Sequence, residues 1–267
     1  MKQTLIIMSV LVTLNSCNQE CEEIVSKHDN GKAEVLHKYP DCSDSTTYQR
    51  DFYFDNGQLG SSGFMKKGKK DGLFKSWNKE GVQTAEWHMK QGVEHGHVQC
   101  WYDNGTKSKE TNLNEGKVHG FERTWLKNGD LASIGEYSNG KQIGTWKYFE
   151  ETGTWKIRNY QDGELHGLTN EHLIDSIGKV TIVIGQYEND TEVGMWKWFD
   201  KDSTLTQTAI FDNGKATGEI IEYHQDGSIK LKGNLIDGRY DGEVKYFDKN
   251  GNLIKTEIYE EGDLKNN

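Results

Sequence analysis

The chain repeats itself about every 24 residues, and no other feature narrows its fold so far. Segments of the form G-K-x-x-G recur with opening glycines at Gly68, Gly92, Gly116, Gly140, Gly163, Gly214, Gly238 and Gly262, and Asp190 holds that place in one copy. Successive steps are 24, 24, 24, 23, 27, 24, 24 and 24 residues. A fixed period of this length marks a repeat architecture, in which each unit buries its surface against its neighbours. Half a unit away lies a second series: Gly57, Gly81, Gly105, Gly129, Gly153, Gly178, Gly227 and Gly251, with Ser203 in the gap. Asn or Asp precedes several of these, as in Asn56-Gly57, Asn104-Gly105, Asn128-Gly129, Asp226-Gly227 and Asn250-Gly251. Such dipeptides are favoured at the centre of two-residue hairpin turns, where both positions need positive φ. The spacing therefore predicts two turns and two strands per unit, with two-residue turns at the Asn-Gly and Asp-Gly sites.

Rings and apolar residues keep the same period. Three residues before each opening position stand Met65, Met89, Leu113, Tyr137, Tyr160, Tyr187, Phe211, Leu235 and Tyr259. Two residues after each closing glycine come Phe74, Val98, Trp146, Trp196, Ile220 and Val244, with Glu122 and Thr169 as exceptions. Five residues after it come Trp77, Trp101, Trp125, Phe149, Phe199, Tyr223 and Phe247, with His172 in one copy. Against an aromatic content of 11%, seven rings in eight places is no coincidence. Alternation in steps of two, rich in aromatic and β-branched residues, is a strand pattern. The reading is all-β, and the longer unit at 173–190, which lacks its glycine, is expected to form an irregular joint.

Composition removes other classes. Hydrophobic residues are 33% of the 267, below the usual share of about 45–50%, so a large α/β enzyme core and a polytopic membrane protein are excluded. The rings argue against disorder. A formal charge of −10 argues against a nucleic-acid binder, which would show a basic face.

Units such as Trp101-Tyr102-Asp103-Asn104-Gly105, Gly135-Glu136-Tyr137-Ser138-Asn139-Gly140-Lys141 and Gly144-Thr145-Trp146-Lys147-Tyr148-Phe149 resemble MORN repeats. The closest likeness is the bacterial variant of proteins labelled YwqK-type antitoxins. It spans residues 50–264 in about nine copies. The resemblance implies an elongated single-layer antiparallel β-meander, each 24-residue repeat adding one hairpin.

Residues 1–17 read as an export signal: Lys2, then an apolar run from Leu5 to Leu14, too short to span a bilayer, which takes about 20 residues. The run ends in Leu14-Asn15-Ser16-Cys17, which resembles the lipobox of bacterial lipoproteins. That resemblance implies acylation at Cys17 and an address in the bacterial cell envelope, held by lipid to a membrane, with the outer membrane expected. The alternative is an ordinary cleaved signal with a coincidental cysteine. Residues 18–49 read as an irregular linker before the repeats. Cys21 and Cys42 lie in it, either bridged in an oxidising envelope or unpaired.

Chemistry is not written in the motifs. Gly63-x-x-x-x-Gly68-Lys69 and Gly135-x-x-x-x-Gly140-Lys141 imitate a phosphate loop, but Lys70 and Gln142 replace its hydroxyl residue and no helix follows. Asp248-Lys249-Asn250-Gly251-Asn252 has its glycine in the wrong place for a calcium loop. His95, His119 and His166 share one slot, but neighbouring copies would lie two strands apart, about 9.6 Å, too far to share one zinc ion. They read as turn residues. No catalytic, metal or cofactor residue is expected, and no enzyme. The candidate partner-binding residues are the ladder Trp77, Trp101, Trp125, Phe149, Phe199, Tyr223 and Phe247, because a single layer cannot cover both of its faces. The functions left are a lipid-anchored protein-binding scaffold, an antitoxin or immunity factor, and a carbohydrate binder using an aromatic platform.

Overall fold

A computed structural model describes residues 21–265. Among them lie 24 strands, and all their pairings are antiparallel. The chain divides into two compact units, 1–131 and 132–267. Within each unit successive strands form antiparallel hairpins, the two-residue strands Lys117–Val118, Glu164–Leu165 and Arg239–Tyr240 each pairing with the strand before them as does the longer strand that follows, so each unit is an open single-layer meander, the all-β fold expected.

The segment read as an irregular linker is corrected. Strands Cys21–Lys27 and Ala33–Tyr39 pair with each other, and the second pairs with Thr47–Tyr53. The turn between the first two repeats the later turns, His28 N–H bonding Lys32 O and Gly31 N–H bonding His28 O. Irregular composition hid a further hairpin because it lacks the G-K-x-x-G signature. Cys21 and Cys42 form a disulfide.

The two-residue turns expected at the Asn-Gly and Asp-Gly sites form instead at the other glycine series. Two-residue turns with both central φ positive occur at the opening-glycine sites, such as Lys67 at 48° and Gly68 at 73°, or Asn139 at 51° and Gly140 at 83°. The Asn-Gly sites instead form three-residue loops in which only the glycine is left-handed: Phe54 N–H bonds Gln58 O, Gly57 N–H bonds Phe54 O, and Gly57 has φ 91°. This is a type I turn closed by a glycine bulge. Asn56 acts through its side chain, accepting the Gln58 N–H at 2.9 Å and donating to Lys79 O one repeat away at 3.0 Å. Asn104 repeats both contacts, to Thr106 and Lys127. At the other edge, Gly92 N–H bonds Lys70 O and Gly238 N–H bonds Ala216 O, so each turn is tied to its predecessor.

The period irregularities have separate origins. In a standard unit Ser76 opposes Ala85 and Trp77 opposes Gln83, leaving Thr84 bulged. Phe149–Gly144 pairs with Trp155–Tyr160 without any shift, and the missing bulge residue accounts for the 23-residue step. The 27-residue unit pairs Gly167 to Ile174 with Val180 to Tyr187 in unbroken register. The irregular joint expected there is therefore a longer, regular hairpin.

One face of each unit is closed by its own side chains. Phe74, Glu122, Trp146, Thr169, Trp196, Ile220 and Val244, all two residues after a closing glycine, are buried, and Val98 is half-buried. Each opposes a complementary partner. A Cβ on Gly63, Gly135 or Gly185 would overlap the ring of Phe74, Trp146 or Trp196. Where the ring sits on the other strand the sizes invert, Trp87 opposing Val98, and Ala209 opposes Ile220. Rings then roof the row: Trp146 stacks on Tyr148 at 5.8 Å and meets Tyr137 edge-on at 5.0 Å. Tyr148 donates to Tyr160 Oη at 3.0 Å. Burial, then that bond, pushes the Tyr148 hydroxyl well above its ordinary value.

Ser203 holds a left-handed φ of 62° where other units use glycine. A residue with a Cβ is disfavoured there by roughly 1–2 kcal/mol, partly offset by glycine's freedom when unfolded. Ser203→Gly is expected to raise stability by about 0.5–1 kcal/mol. Urea denaturation that shows no gain would refute the strain.

Asp51 is fully buried, with Lys38 Nζ 3.0 Å and Gln49 Nε2 2.9 Å from its oxygens. Burial pushes its carboxyl up, but hydrogen bonds from Ser62, Gln49 and Lys38 outweigh it and leave it below the usual aspartate value. A depressed native pKa stabilises above the unfolded value of about 3.9 and is lost as pH falls through the lowered native value. The melting temperature should therefore drop more steeply below about pH 4 in wild type than in Asp51→Asn. Parallel curves would show that Asp51 titrates normally.

Candidate binding surface

Alternation sends the residue five after each closing glycine to the face opposite the buried row. Trp77, Trp101, Trp125, Phe199, Tyr223 and Phe247 are half-buried there, and Phe149 is exposed. The two units treat this ladder differently. In the first, polar residues interrupt it: Trp77 opposes Gln83 and Trp101 opposes Lys107, whose ammonium lies 5.3 Å from the Trp125 ring centre. In the second it is continuous. Phe149 opposes Trp155, Trp155 opposes His172, His172 opposes Ile182, Ile182 opposes Phe199, and Phe199 opposes Leu205. Trp155 and His172 stack with ring centres 5.6 Å apart.

A second set on this face was not singled out from the sequence. Phe64, Phe121, Leu168, Met195 and Ile210 are exposed, and Met195 opposes Ile210. The signal was present but partial: Leu73, Phe121, Leu168 and Met195 each follow a closing glycine directly, while the other units place His97, Thr145, Glu219 and Glu243 there. Two polar atoms on the second unit's strip have no hydrogen-bond partner, Asn170 Oδ1 and His172 Nδ1.

Charge is distributed unevenly. Residues 1–131 carry 17 Lys and Arg against 18 Asp and Glu, whereas 132–267 carry 15 against 24, a formal charge of −9. The lysines Lys66, Lys67, Lys69 and Lys70 gather around one turn of the first unit.

The histidines read as turn residues are corrected. His95 lies within the strand Val93–Trp101, and His119 and His166 sit in bulges beside a closing glycine, their N–H groups bonding Asn112 O and Asn159 O. Among the described residues no group of three or more His, Cys, Asp or Glu could hold a metal ion. Cys100 is unbridged, and burial raises its thiol pKa. Cys17 lies outside the described residues, and among those described no helix is long and apolar enough to cross a membrane.

No curated protein matches the chain. Residues 240–265 match the family model of the MORN repeat variant. The matched segment starts in the last closing-glycine bulge and runs through the final two-residue turn, a pattern that the earlier units share. The chain is thus a repeat protein carrying a MORN-type repeat.

Proposed function

We propose that this protein is a non-enzymatic, lipid-anchored binding scaffold of the bacterial envelope, holding a partner protein on the open face of its repeats. The observation that carries the reading is the contrast between faces: one is closed by self-complementary rings, while the other leaves Leu168 at 64% and Met195 at 55% exposure. Exposed apolar residues gathered on one surface mark interaction sites. The Cys21–Cys42 disulfide fits an oxidising compartment, and Cys17 would carry the lipid. A second reading, toxin neutralisation, is favoured by the charge of −9 on the second unit, which suits a basic partner.

Two measurements test the scaffold. Wild type should label with palmitate and partition with membranes, and Cys17→Ser should do neither; normal maturation of that variant would refute the anchor. Replacing Trp77, Trp101 and Trp125 with Ser should weaken recovery of an identified partner more than it lowers the melting temperature. Truncating an interface hot spot removes roughly 2 kcal/mol or more of binding, whereas truncating a buried architectural ring removes about 3–5 kcal/mol of folding. A triple variant that melts far below wild type, or retains every partner, removes these tryptophans from the interface.

A further inference from the structure

One turn of the first unit sets lysine against lysine. Lys66 and Lys69 stand directly opposite each other across their antiparallel pair, where like charges repel. The corresponding pairs of the next two turns are Lys90 with Val93 and Asn114 with Lys117, so all six positions share one face. That is the open face, since the adjoining Met65 and Met89 lie buried on the other. Among the described residues the first unit's ion pairs use Lys38, Lys75, Lys79, Lys107, Lys109 and Lys127, and none reaches Lys66, Lys69, Lys90 or Lys117. Nearby acids are engaged or turned away. Asp44 senses the Lys66 ammonium but takes its hydrogen bonds from Thr46, Asp71 accepts the Gln91 N–H at 3.1 Å, and Glu94 opposes buried Met89. Further along the open face, Glu86 pairs with Lys75, and Glu110 with His97 and Lys107. Lys69, Lys90, Gln91, Val93, Asn114 and Glu115 line a cleft of about 590 Å³ beside the lysine row, with Glu115 as its carboxylate.

Each of these lining residues is exposed, so the cleft is too open to enclose a small molecule, which a pocket normally buries over most of its surface. The lysines are also spread out. Lys66 and Lys117 lie five strand spacings apart, about 24 Å, a span that no single phosphate or sulfate ion covers. An extended anion lying across the strands meets all four. We propose that this cleft holds an acidic segment of a partner polypeptide, its carboxylates against Lys66, Lys69, Lys90 and Lys117 and its backbone amides at Gln91, Asn114 and Glu115. Glu115 separates a polypeptide from an anionic bilayer: it accepts a backbone N–H, whereas a uniformly negative surface only repels it. The proposal rests on the scaffold reading and gives its partner an acidic docking segment on the first unit.

The test uses the full chain, a synthetic peptide of alternating Glu and Gly, its Gln/Gly counterpart, inorganic phosphate and vesicles containing an anionic phospholipid, with peptide binding followed by calorimetry. The Glu/Gly peptide should bind saturably at low salt and more weakly at physiological salt, where exposed charges are screened, and the Gln/Gly peptide should not bind. Lys69→Gln/Lys90→Gln should weaken binding by about fivefold or more, the loss of two exposed ion pairs. Lys79→Gln/Lys127→Gln removes the same charge from the first unit at its other turn edge, and should leave binding within about twofold. Melting curves establish that each variant is folded, and Lys69→Gln/Lys90→Gln should melt no lower than wild type because it relieves the Lys66–Lys69 repulsion. No saturable binding by wild type, equal loss in the two double variants, or full displacement of the peptide by an equal concentration of phosphate would overturn the proposal. So would vesicle capture that depends on Lys69 and Lys90 when peptide binding does not. The scaffold reading fails separately. If partner recovery depends on Trp77, Trp101 and Trp125 while Lys69→Gln/Lys90→Gln changes neither recovery nor peptide binding, the scaffold stands and this cleft does not.

Discussion

Gly135→Ala is expected to destabilise the second unit by about 3 kcal/mol, far more than a glycine-to-alanine change in an ordinary strand. The reason is the Trp146 ring, which lies over the Gly135 Cα where the new methyl group would stand. Trp146 is only 1% exposed, its Nε1 donates to Glu136 O at 3.1 Å, and Tyr137, Tyr148 and Tyr160 surround it. It has no neighbouring space to enter, so the substitution must expel the ring or spread the strands. The protein itself contains the compensated arrangement, Ala209 opposite Ile220. Gly135→Ala/Trp146→Ile should therefore lose at least about 1 kcal/mol less than the sum of its two single variants, the coupling expected of residues in direct contact. Additive losses in urea denaturation would show that ring and glycine are not matched as a pair.

Arg158→Met is expected to remove about 3 kcal/mol as well, by a different route. Thr169 and Glu122 occupy ring positions without being rings, and in both places an ion pair fills the space. Arg158 Nε and Nη2 each lie 2.7 Å from Glu171 Oε1, and Thr169 Oγ1 bonds the Ile157 carbonyl at 3.2 Å. Lys109 lies 2.6 Å from buried Glu122. Burial lowers the Arg158 pKa, but the bond to Glu171 more than restores it, so the guanidinium stays charged. Removing it leaves a nearly buried carboxylate alone, which is worse than having no pair at all. Arg158→Met/Glu171→Met should recover most of the loss. A single variant within about 0.5 kcal/mol of wild type, as at an ordinary surface site, would show that the pair is solvent-screened.

Much of this architecture is written in the sequence, and the reason is locality. Turn positions need residues that tolerate positive φ, and strands alternate with a period of two, so glycine and ring spacing state the element type and the all-β class without reference to distant parts of the chain. The same local rules place Phe74 and Trp77 on opposite faces. What the tertiary structure decided depends on register between strands. Lys67-Gly68, rather than Asn56-Gly57, forms the two-residue turn, and the Asn56 side chain ties its own three-residue loop to the next, a contact one repeat away. Which face closes follows from glycines opposing rings, and a single strand does not reveal its opposite partner. The pairing of Cys21 with Cys42 and the strands that flank it were hidden in a stretch lacking the motif. The ladder from Phe149 to Leu205 was hidden too: half its members, Trp155, Ile182 and Leu205, come from the intervening strands, and although Trp155 and Leu205 stand two residues after Gly153 and Ser203, Ile182 breaks that offset, so only pairing across the sheet joins them. Local conformation is set by neighbours in the chain, and surfaces are set by neighbours across the sheet.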